Sequence, residues 1–514
     1  MKIAMTASEA APYVKSGGLG DVMLGLPNEL ARIPDNEVCL FLPYYKRVKE
    51  NPAYETELCA EFRVGLSWRE QYAGLHKLKA KGHKKQPTVY FIDNEYYFGR
   101  DGLYGYLDDG ERYAFFSKAV LDAMAVLQFY PDVIQSNDWQ TAMVPVYLNA
   151  QYRGVFPYTK TVFTIHNIEY QGWANPDFFD NVLGLPEPFR GIMDLTGGVN
   201  MMKGAIECAD MVSTVSETYA QEIRYPYYAH GLDGILSGYW YKLVGITNGV
   251  DVSVFDPSTD KALVQNYSIR DFAAGKAANK AAMQRELGLP ERPEVPVLAM
   301  ITRLASHKGI DLLCYIARRL LGMDVQLVIL GTGEQRFENF FRGLAAEYPD
   351  KVSAQLRFDL NLANRIYAGA DVYLMPSKSE PCGLSQMNAM RYGTVPVVNA
   401  TGGLKDTVPP VDSSTNTGLG YTFQSYNGDD FWGAIDRCLG LYWHDQDGWK
   451  DLIRRDMSAD FSWKKPAEKY MELFHRLNEA GKALFYWDYD NFYLEKTPHE
   501  AGEFIRRNLR NFPS

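Results

Sequence analysis

The chain has 514 residues, 46% of them apolar and 23% charged. That composition excludes a disordered or fibrous protein, and that length is divided among more than one core. The formal net charge is −10, from 53 Lys and Arg against 63 Asp and Glu, which argues against a dedicated nucleic-acid partner but not against a local basic site for a small anion.

The six cysteines stand at 39, 59, 208, 314, 382 and 438, with no C-x-x-C pair, as in a reduced chain. The histidines form no H-E-x-x-H motif and no close pair, so a zinc site has weak support; no cofactor is expected. The start, MKIAMTASEAAPYVKSGG, has too short and broken an apolar stretch for a signal peptide. No window of about 20 apolar residues occurs, so no membrane partner is predicted and the expected location is the cytoplasm.

In chain order, buried strands are predicted at 2–7, 38–43, 89–93, 132–136, 161–166, 210–215 and 243–247. Each is a short apolar run without alternation, the pattern of a parallel sheet covered on both faces. Helical patterns intervene, as at 112–128. The alternation restarts after a polar interval, with strands at 296–301, 326–330, 352–358, 371–375 and 395–399. The predicted fold class is therefore α/β, with two Rossmann-like doubly wound domains. Asn248-Gly249 and Asp256-Pro257 mark the join near 244–257. The predicted division is 1–243, 244–477 and an aromatic-rich tail, 478–514, packing back on the first domain.

In open α/β sheets ligands bind beyond the carboxyl ends of the strands, so the chemistry is sought in the loops there. Lys15-Ser16-Gly17-Gly18-Leu19-Gly20-Asp21 precedes a helical pattern. Its glycines let amides approach an anion, and Lys15 adds a charge. A tight turn with Asp21 as helix cap is an equal reading. Thr164-Ile165-His166-Asn167 ends a buried strand with a polar pair, which suits either a site or a satisfied core histidine. Arg303 and Lys308 lie five apart after strand 296–301, where a fork and a point charge can converge on a diphosphate. Alone, that segment reads better as a solvated basic loop; two independent basic loops, one per domain, shift the balance toward a phosphate clamp. After strand 371–375 comes Ser379-Glu380-Pro381-Cys382-Gly383-Leu384-Ser385, a carboxylate before a helix start. No Cys-His-Asn set can be assembled around Cys382, which favours packing over nucleophilic chemistry. Thr401-Gly402-Gly403 is another glycine turn, and the aromatics of 96–106 suit either sugar stacking or a core segment.

Together these segments resemble the bacterial glycogen synthase family, related to plant starch synthases. The resemblance runs through KSGGLGDV (15–22), NEYYFGRDGLYGY (94–106), NDWQTAMVPVYL (137–148), TVFTIHNIEYQG (161–172), GITNGVD (245–251), RLASHKGIDLL (303–313), EPCGLSQMNAMRYGTVPVV (380–398) and TGGLKDTV (401–408), and covers about 1–475 in order. It implies the GT-B fold, two Rossmann-like domains facing across a deep cleft. It implies a retaining enzyme that transfers glucose from ADP-glucose to the non-reducing end of an α-1,4-glucan, without a metal.

Carried over residue by residue, the resemblance puts Lys15 and Gly18 on phosphate and sugar, and Asp21 near the nucleotide sugar. Asp138 and Asn167 fall near the glucosyl group and His166 under the reacting centre. Asn248 falls on a sugar hydroxyl, and Arg303 and Lys308 on the diphosphate. Glu380 falls on glucose hydroxyls, with backbone groups of Cys382, Gly383 and Leu384 on the same sugar. Ser385 caps phosphate and Phe358 stacks on the base. The sequence departs from the family at Gln135-Ser136 before Asn137-Asp138, at Ser379 before Glu380, and at Asn399; Asn388 stands eight after Glu380, where some related transferases have a second Glu. Competing readings are a catalytically silent glucan binder and a UDP-glucose enzyme. A glycoside hydrolase would need a second carboxylate that the sequence does not supply.

Overall fold

The computed structural model describes residues 1–79 and 85–490, with side chains as far as 479. The chain forms two compact units. The first comprises Met1–Ser213, Ile223–Val244 and the segment from Ala467 on; the second comprises Thr214–Glu222 and Gly245–Pro466. Residues 214–222 thus leave a segment the sequence assigned whole to the first domain, and 467–477 leave the second. Residues 467–477 join the first unit because Ala467, Tyr470 and Phe474, spaced along one helical face of Lys464–Asp490, are buried. Asn36 also donates its side-chain amide to the Met471 sulfur at 3.3 Å. The predicted docking of 478–514 lies, apart from the helix backbone to Asp490, outside the described residues.

The strands of the first unit are β1 (Lys2–Thr6), β2 (Glu37–Pro43), β3 (Thr56–Leu66), β4 (Arg69–Leu78), β5 (Thr88–Asp93), β6 (Val133–Asn137), β7 (Lys160–Ile165), β8 (Trp173–Ala174), β9 (Asp194–Leu195), β10 (Gly198–Asn200), β11 (Met211–Thr214) and β12 (Leu243–Gly245). Their main sheet runs β12-β11-β7-β6-β1-β2-β5-β4-β3, and β8, β10 and β9 form a small separate one. β1 is the centre, parallel to β2 on one side and to β6 on the other. Chain direction across the sheet reverses there, so the loops after β1 and β6 diverge at a topological switch point. All seven strands predicted in this half are present within a few residues. The β3–β4 hairpin and the small sheet were not anticipated. β3 is an edge strand with mixed exposure rather than an apolar run, and its turn uses Ser67 at φ 52° instead of a glycine pair.

The second unit holds β13 (Val297–Ile301), β14 (Gln326–Leu330), β15 (Val352–Gln355), β16 (Val372–Met375), β17 (Val395–Asn399) and β18 (Tyr421–Phe423). Their order is β15-β14-β13-β16-β17-β18, with every pairing parallel. The switch point lies between β13 and β16, whose following loops are 302–309 and 376–384. The helix Ile310–Leu321 packs on this sheet through Ile310, Leu313, Ile316, Ala317 and Leu320, spaced three and four apart. Two details differ from expectation. β15 ends at Gln355, where the Arg357 amide turns back to the Gln355 carbonyl. The three-residue β18 is too short to leave a periodic signature. The predicted fold class, α/β with two Rossmann-like units, is the one found. Among the described residues no helix is long and apolar enough to cross a membrane.

Candidate functional site

In the first unit the glycine loop is shaped by a residue that the motif reading passed over. Glu9, 2% exposed, accepts hydrogen bonds from the Ser16 amide (2.7 Å), the Ser16 hydroxyl (2.5 Å), and the Gly17 and Gly20 amides (3.2 Å each). The chain reaches this arrangement by doubling back: Ala10 bridges Val14, and the Ala11 amide donates to the Gly20 carbonyl. The helix Gly18–Arg32 starts from this loop. Glu9 takes two of the donors at its start, leaving the Gly18 and Leu19 amides with no partner among the described residues. Asp21 does not cap the helix, as one reading had it. It lies in the first turn and pairs with Lys15 at 2.7 Å, both side chains more than a third exposed.

Asp138 and His166 directly follow β6 and β7. Asp138 has φ 58°, a left-handed conformation that costs a non-glycine residue energy and is held here by its surroundings. Its carboxylate accepts from the His166 amide (2.7 Å) and the Asn167 amide (3.3 Å). Burial pushes the Asp138 carboxyl up to about 7, against the pull of those two amides. Burial pushes the His166 imidazole down to about 3. Nε2 of His166 lies 2.8 Å from Oδ1 of Asn137, and the Asn137 amide nitrogen donates to the Thr6 carbonyl. An amide oxygen only accepts, so Nε2 carries the imidazole proton and Nδ1 the lone pair. Asn137 is the second residue here that motif reading missed; its clue was its place directly before Asp138.

The aromatic segment 96–106 is chiefly a pinned loop. Tyr97 and Phe98 are buried in the core. The fully buried Arg112 donates to the Tyr97 and Leu103 carbonyls. Tyr104 meets the Ser8 hydroxyl at 2.7 Å, beside Glu9. Tyr96 is left exposed.

In the second unit the loops flanking the switch point bring Lys308 and Glu380 together at 2.6 Å, with side chains 17% and 9% exposed. The same Glu380 oxygen also accepts from the Ser377 hydroxyl at 3.1 Å. Arg303, from the same loop as Lys308, is exposed and its guanidinium has no partner among the described residues. Gly309, directly after Lys308, adopts φ 74°, and a Cβ there would lie 2.0 Å from the Pro376 carbonyl oxygen. Only glycine lets these two loops approach so closely.

Cys382 is buried beside the Asn248 backbone, and burial pushes its thiol up to about 12, so it is no nucleophile. Asn248 is 7% exposed, and its side-chain oxygen has no partner among the described residues. Gly383 has φ 72°. Leu384 precedes the helix Ser385–Arg391, and the Ser385 hydroxyl lies against the Met375 sulfur, at 3.5 Å, and the Tyr373 hydroxyl. Phe358 is 82% exposed in the loop after β15. The Thr401-Gly402 turn is already occupied: Glu222 accepts from the Thr401 hydroxyl and the Gly402 amide, each at 3.0 Å.

Each unit thus presents cations, free donors and carboxylates at the carboxyl ends of parallel strands. The arrangement can bind an anion and orient hydroxyl groups. Residues 2–238 match the family described as starch synthase catalytic domain, and residues 282–444 match glycosyl transferases group 1. The chain is 44% identical to the glycogen synthase of Clostridium perfringens over 481 residues, 93% of this chain and 98% of that protein. It is 45% identical to that of Exiguobacterium sibiricum over 482 residues, 92% and 98% of the two. Among solved structures it is similar to the catalytic domain of starch synthase IV from Arabidopsis thaliana bound to ADP and acarbose, with TM-score 0.84 and 33% identity, covering 93% of this chain and 99% of that one. A sucrose-phosphate synthase from Thermosynechococcus elongatus, with TM-score 0.57 and 19% identity, shares the fold alone.

Proposed function

The chain belongs to the glycogen synthase family, and from that premise we propose a donor and a role for each residue of the two sites. It is a glucosyltransferase, taking glucose from a nucleotide sugar to a glucan. In our reading the donor is ADP-glucose, the acceptor is the non-reducing end of an α-1,4-glucan, and the reaction runs in the cytoplasm.

The observation that carries this reading is the Lys308–Glu380 pair at 2.6 Å with Arg303 unpaired in the same loop. Breaking the bond from C1 to the phosphate oxygen leaves negative charge on the diphosphate. Arg303 and Lys308 neutralise that charge, and a fixed cation is worth most where charge develops. Glu380 holds glucose hydroxyls, joined by Asn248, by backbone groups of Cys382, Gly383 and Leu384, and by Ser385 on phosphate. Phe358 offers its exposed ring to the adenine. In the first unit Lys15 and the open Gly18 amide meet phosphate and sugar. Asp21, Asp138 and Asn167 meet the reacting glucose and its acceptor.

Retention follows if the acceptor hydroxyl attacks C1 on the face from which the phosphate leaves. The C1–O bond to phosphate breaks, the C1–O bond to the acceptor forms, and the hydroxyl proton passes to the departing phosphate oxygen. His166, held neutral by burial, is a hydrogen-bonding group beneath the sugar and not a cationic acid. The test is release of ADP and UDP from ADP-glucose and UDP-glucose, each with and without a maltooligosaccharide. Acceptor-dependent ADP release in excess over UDP supports the reading. Faster release from UDP-glucose replaces the donor, and no release from either in the folded protein overturns it.

A further inference from the structure

Lys308 stands in a turn whose two ends are fixed separately. On the carboxyl side, Gly309 abuts the Pro376 carbonyl, and the Lys378 amide donates to the His307 carbonyl at 2.9 Å. On the amino side, the short 3₁₀ turn Ser306–Lys308 has no side-chain cap of its own. A carboxylate from another loop substitutes for one. One oxygen of Glu334 accepts from both the Ser306 amide (2.7 Å) and the Ser306 hydroxyl (2.6 Å). The other accepts from Nε of Arg336 at 2.9 Å, and Arg336 also donates to the Ser306 hydroxyl at 2.7 Å. Ser306, Glu334 and Arg336 close a three-membered ring of hydrogen bonds.

Glu334 is itself well anchored. Its amide donates to the Leu304 carbonyl at 2.7 Å, and the Leu304 amide donates to the Thr332 carbonyl at 2.9 Å, so that Leu304 and Gly333 form a parallel bridge. A Cβ on Gly331 would lie 1.8 Å from the Thr302 carbonyl oxygen and one on Gly333 2.2 Å from that of Leu304. The loop after β14 is therefore fastened along the loop after β13, and Glu334 is the side chain at its end that grips Ser306, two residues before Lys308.

We propose that Glu334 is a positioning residue for the transfer reaction, aiming Lys308 through Ser306. The inference rests on the reading of Lys308 as the diphosphate cation. Glu334 has no need to touch substrate; its contribution is geometric. A reacting group displaced by about 1 Å can lose on the order of a hundredfold in rate, and a three-residue turn released at one end has that freedom.

The experiment is a double-mutant cycle in the full-length protein, reading kcat and KM for donor and acceptor separately. Glu334→Ala is expected to lower kcat by roughly ten- to a hundredfold, with acceptor KM and melting temperature close to those of the parent. Glu334→Gln, which keeps an oxygen for Ser306, is expected to recover most of the loss. In a Lys308→Ala background, Glu334→Ala is expected to cost nothing further, since the group it aims is gone. Ser306→Ala supplies a second route should Glu334→Ala fold poorly, with a loss of the same kind but smaller. Unchanged kcat in both Glu334→Ala and Ser306→Ala overturns the proposal. So does a Glu334→Ala loss that persists undiminished without Lys308. If Lys308→Ala alone leaves turnover intact, the reading of Lys308 fails instead, and the two failures are told apart by that single variant.

Discussion

Two lysines, one per unit, stand in turns organised by a carboxylate that grips a nearby serine through both its amide and its hydroxyl. Glu9 holds Ser16, directly after Lys15, and Glu334 holds Ser306, two before Lys308. The burial is reversed between them. In the first unit the gripping carboxylate is 2% exposed, while Lys15 and its partner Asp21 are 39% and 35% exposed. In the second the gripping carboxylate is 39% exposed, while Lys308 and its partner Glu380 are 17% and 9% exposed. Charge in water is cheap to rearrange and charge away from water is not. The first loop is therefore a rigid frame carrying an adjustable lysine, and the second a lighter frame around a fixed ion pair.

This contrast can be broken at several points. The largest effect is expected at Lys308. In the proposed role of Lys308, Lys308→Ala removes a cation from the leaving group and strands Glu380, and kcat should fall by ~10²–10³. Lys15→Ala should cost at least tenfold less, and equal losses at both lysines in steady-state assays would erase the distinction. Next comes the frame of the first loop. Glu9→Ala leaves four donors without their acceptor, one of them the buried Gly20 amide, and should destabilise the protein by about 3 kcal/mol. Denaturant titration checks this, and a loss below that of Glu334→Ala would reverse the assignment of rigid and light frames.

A third prediction concerns pH. Asp138 is raised to about 7 and His166 lowered to about 3, both by burial. Between roughly pH 4 and 6.5 the folded Asp138 holds a proton that the unfolded chain has lost, so its contribution to stability falls as pH rises. Over the same window the unfolded chain protonates His166 and the folded one does not, so that contribution rises with pH. The two slopes oppose one another. Relative to the parent, Asp138→Asn should gain stability as pH is raised through this window, and His166→Asn should lose it, in melts at pH 4.5 and 6.5. Parallel curves for both variants would show that neither group titrates as described. The smallest effect is expected at Asp21. Asp21→Asn breaks only a partly exposed pair and should change stability by about 0–1 kcal/mol.

The sequence exposed the sheet strands because parallel strands covered on both faces are written as unbroken apolar runs. The edge hairpin β3–β4 was hidden for the opposite reason, since β3 has no strand beyond it on its outer side and tolerates Glu57, Leu58 and Cys59 in the open. Among the candidate site residues, Lys15, His166, Arg303, Lys308 and Glu380 stood out because charge or imidazole in a loop after a strand is conspicuous. Glu9 and Glu334 did not, because a carboxylate that serves backbone amides is recognised only through its partners. Glu334 meets Ser306 across 28 positions, and no local spacing records that. The Thr401-Gly402 turn is a similar case: it was legible only as a glycine turn, and nothing local records that Glu222, 180 positions from Gly402, fills it.

The buried helical residues from Ala467 to Phe474 have a consequence for how this protein is made. A ribosome delivers them only after every residue of the second unit has emerged, so the first unit waits, with part of its apolar surface uncovered, while its neighbour is synthesised. The second unit, whose last residue is Pro466, has all of its sequence outside the ribosome sooner. The amino-terminal half of the chain is thus begun first and completed last, and a nascent chain stalled near 460 would expose the surface that Tyr470 and Phe474 are meant to cover.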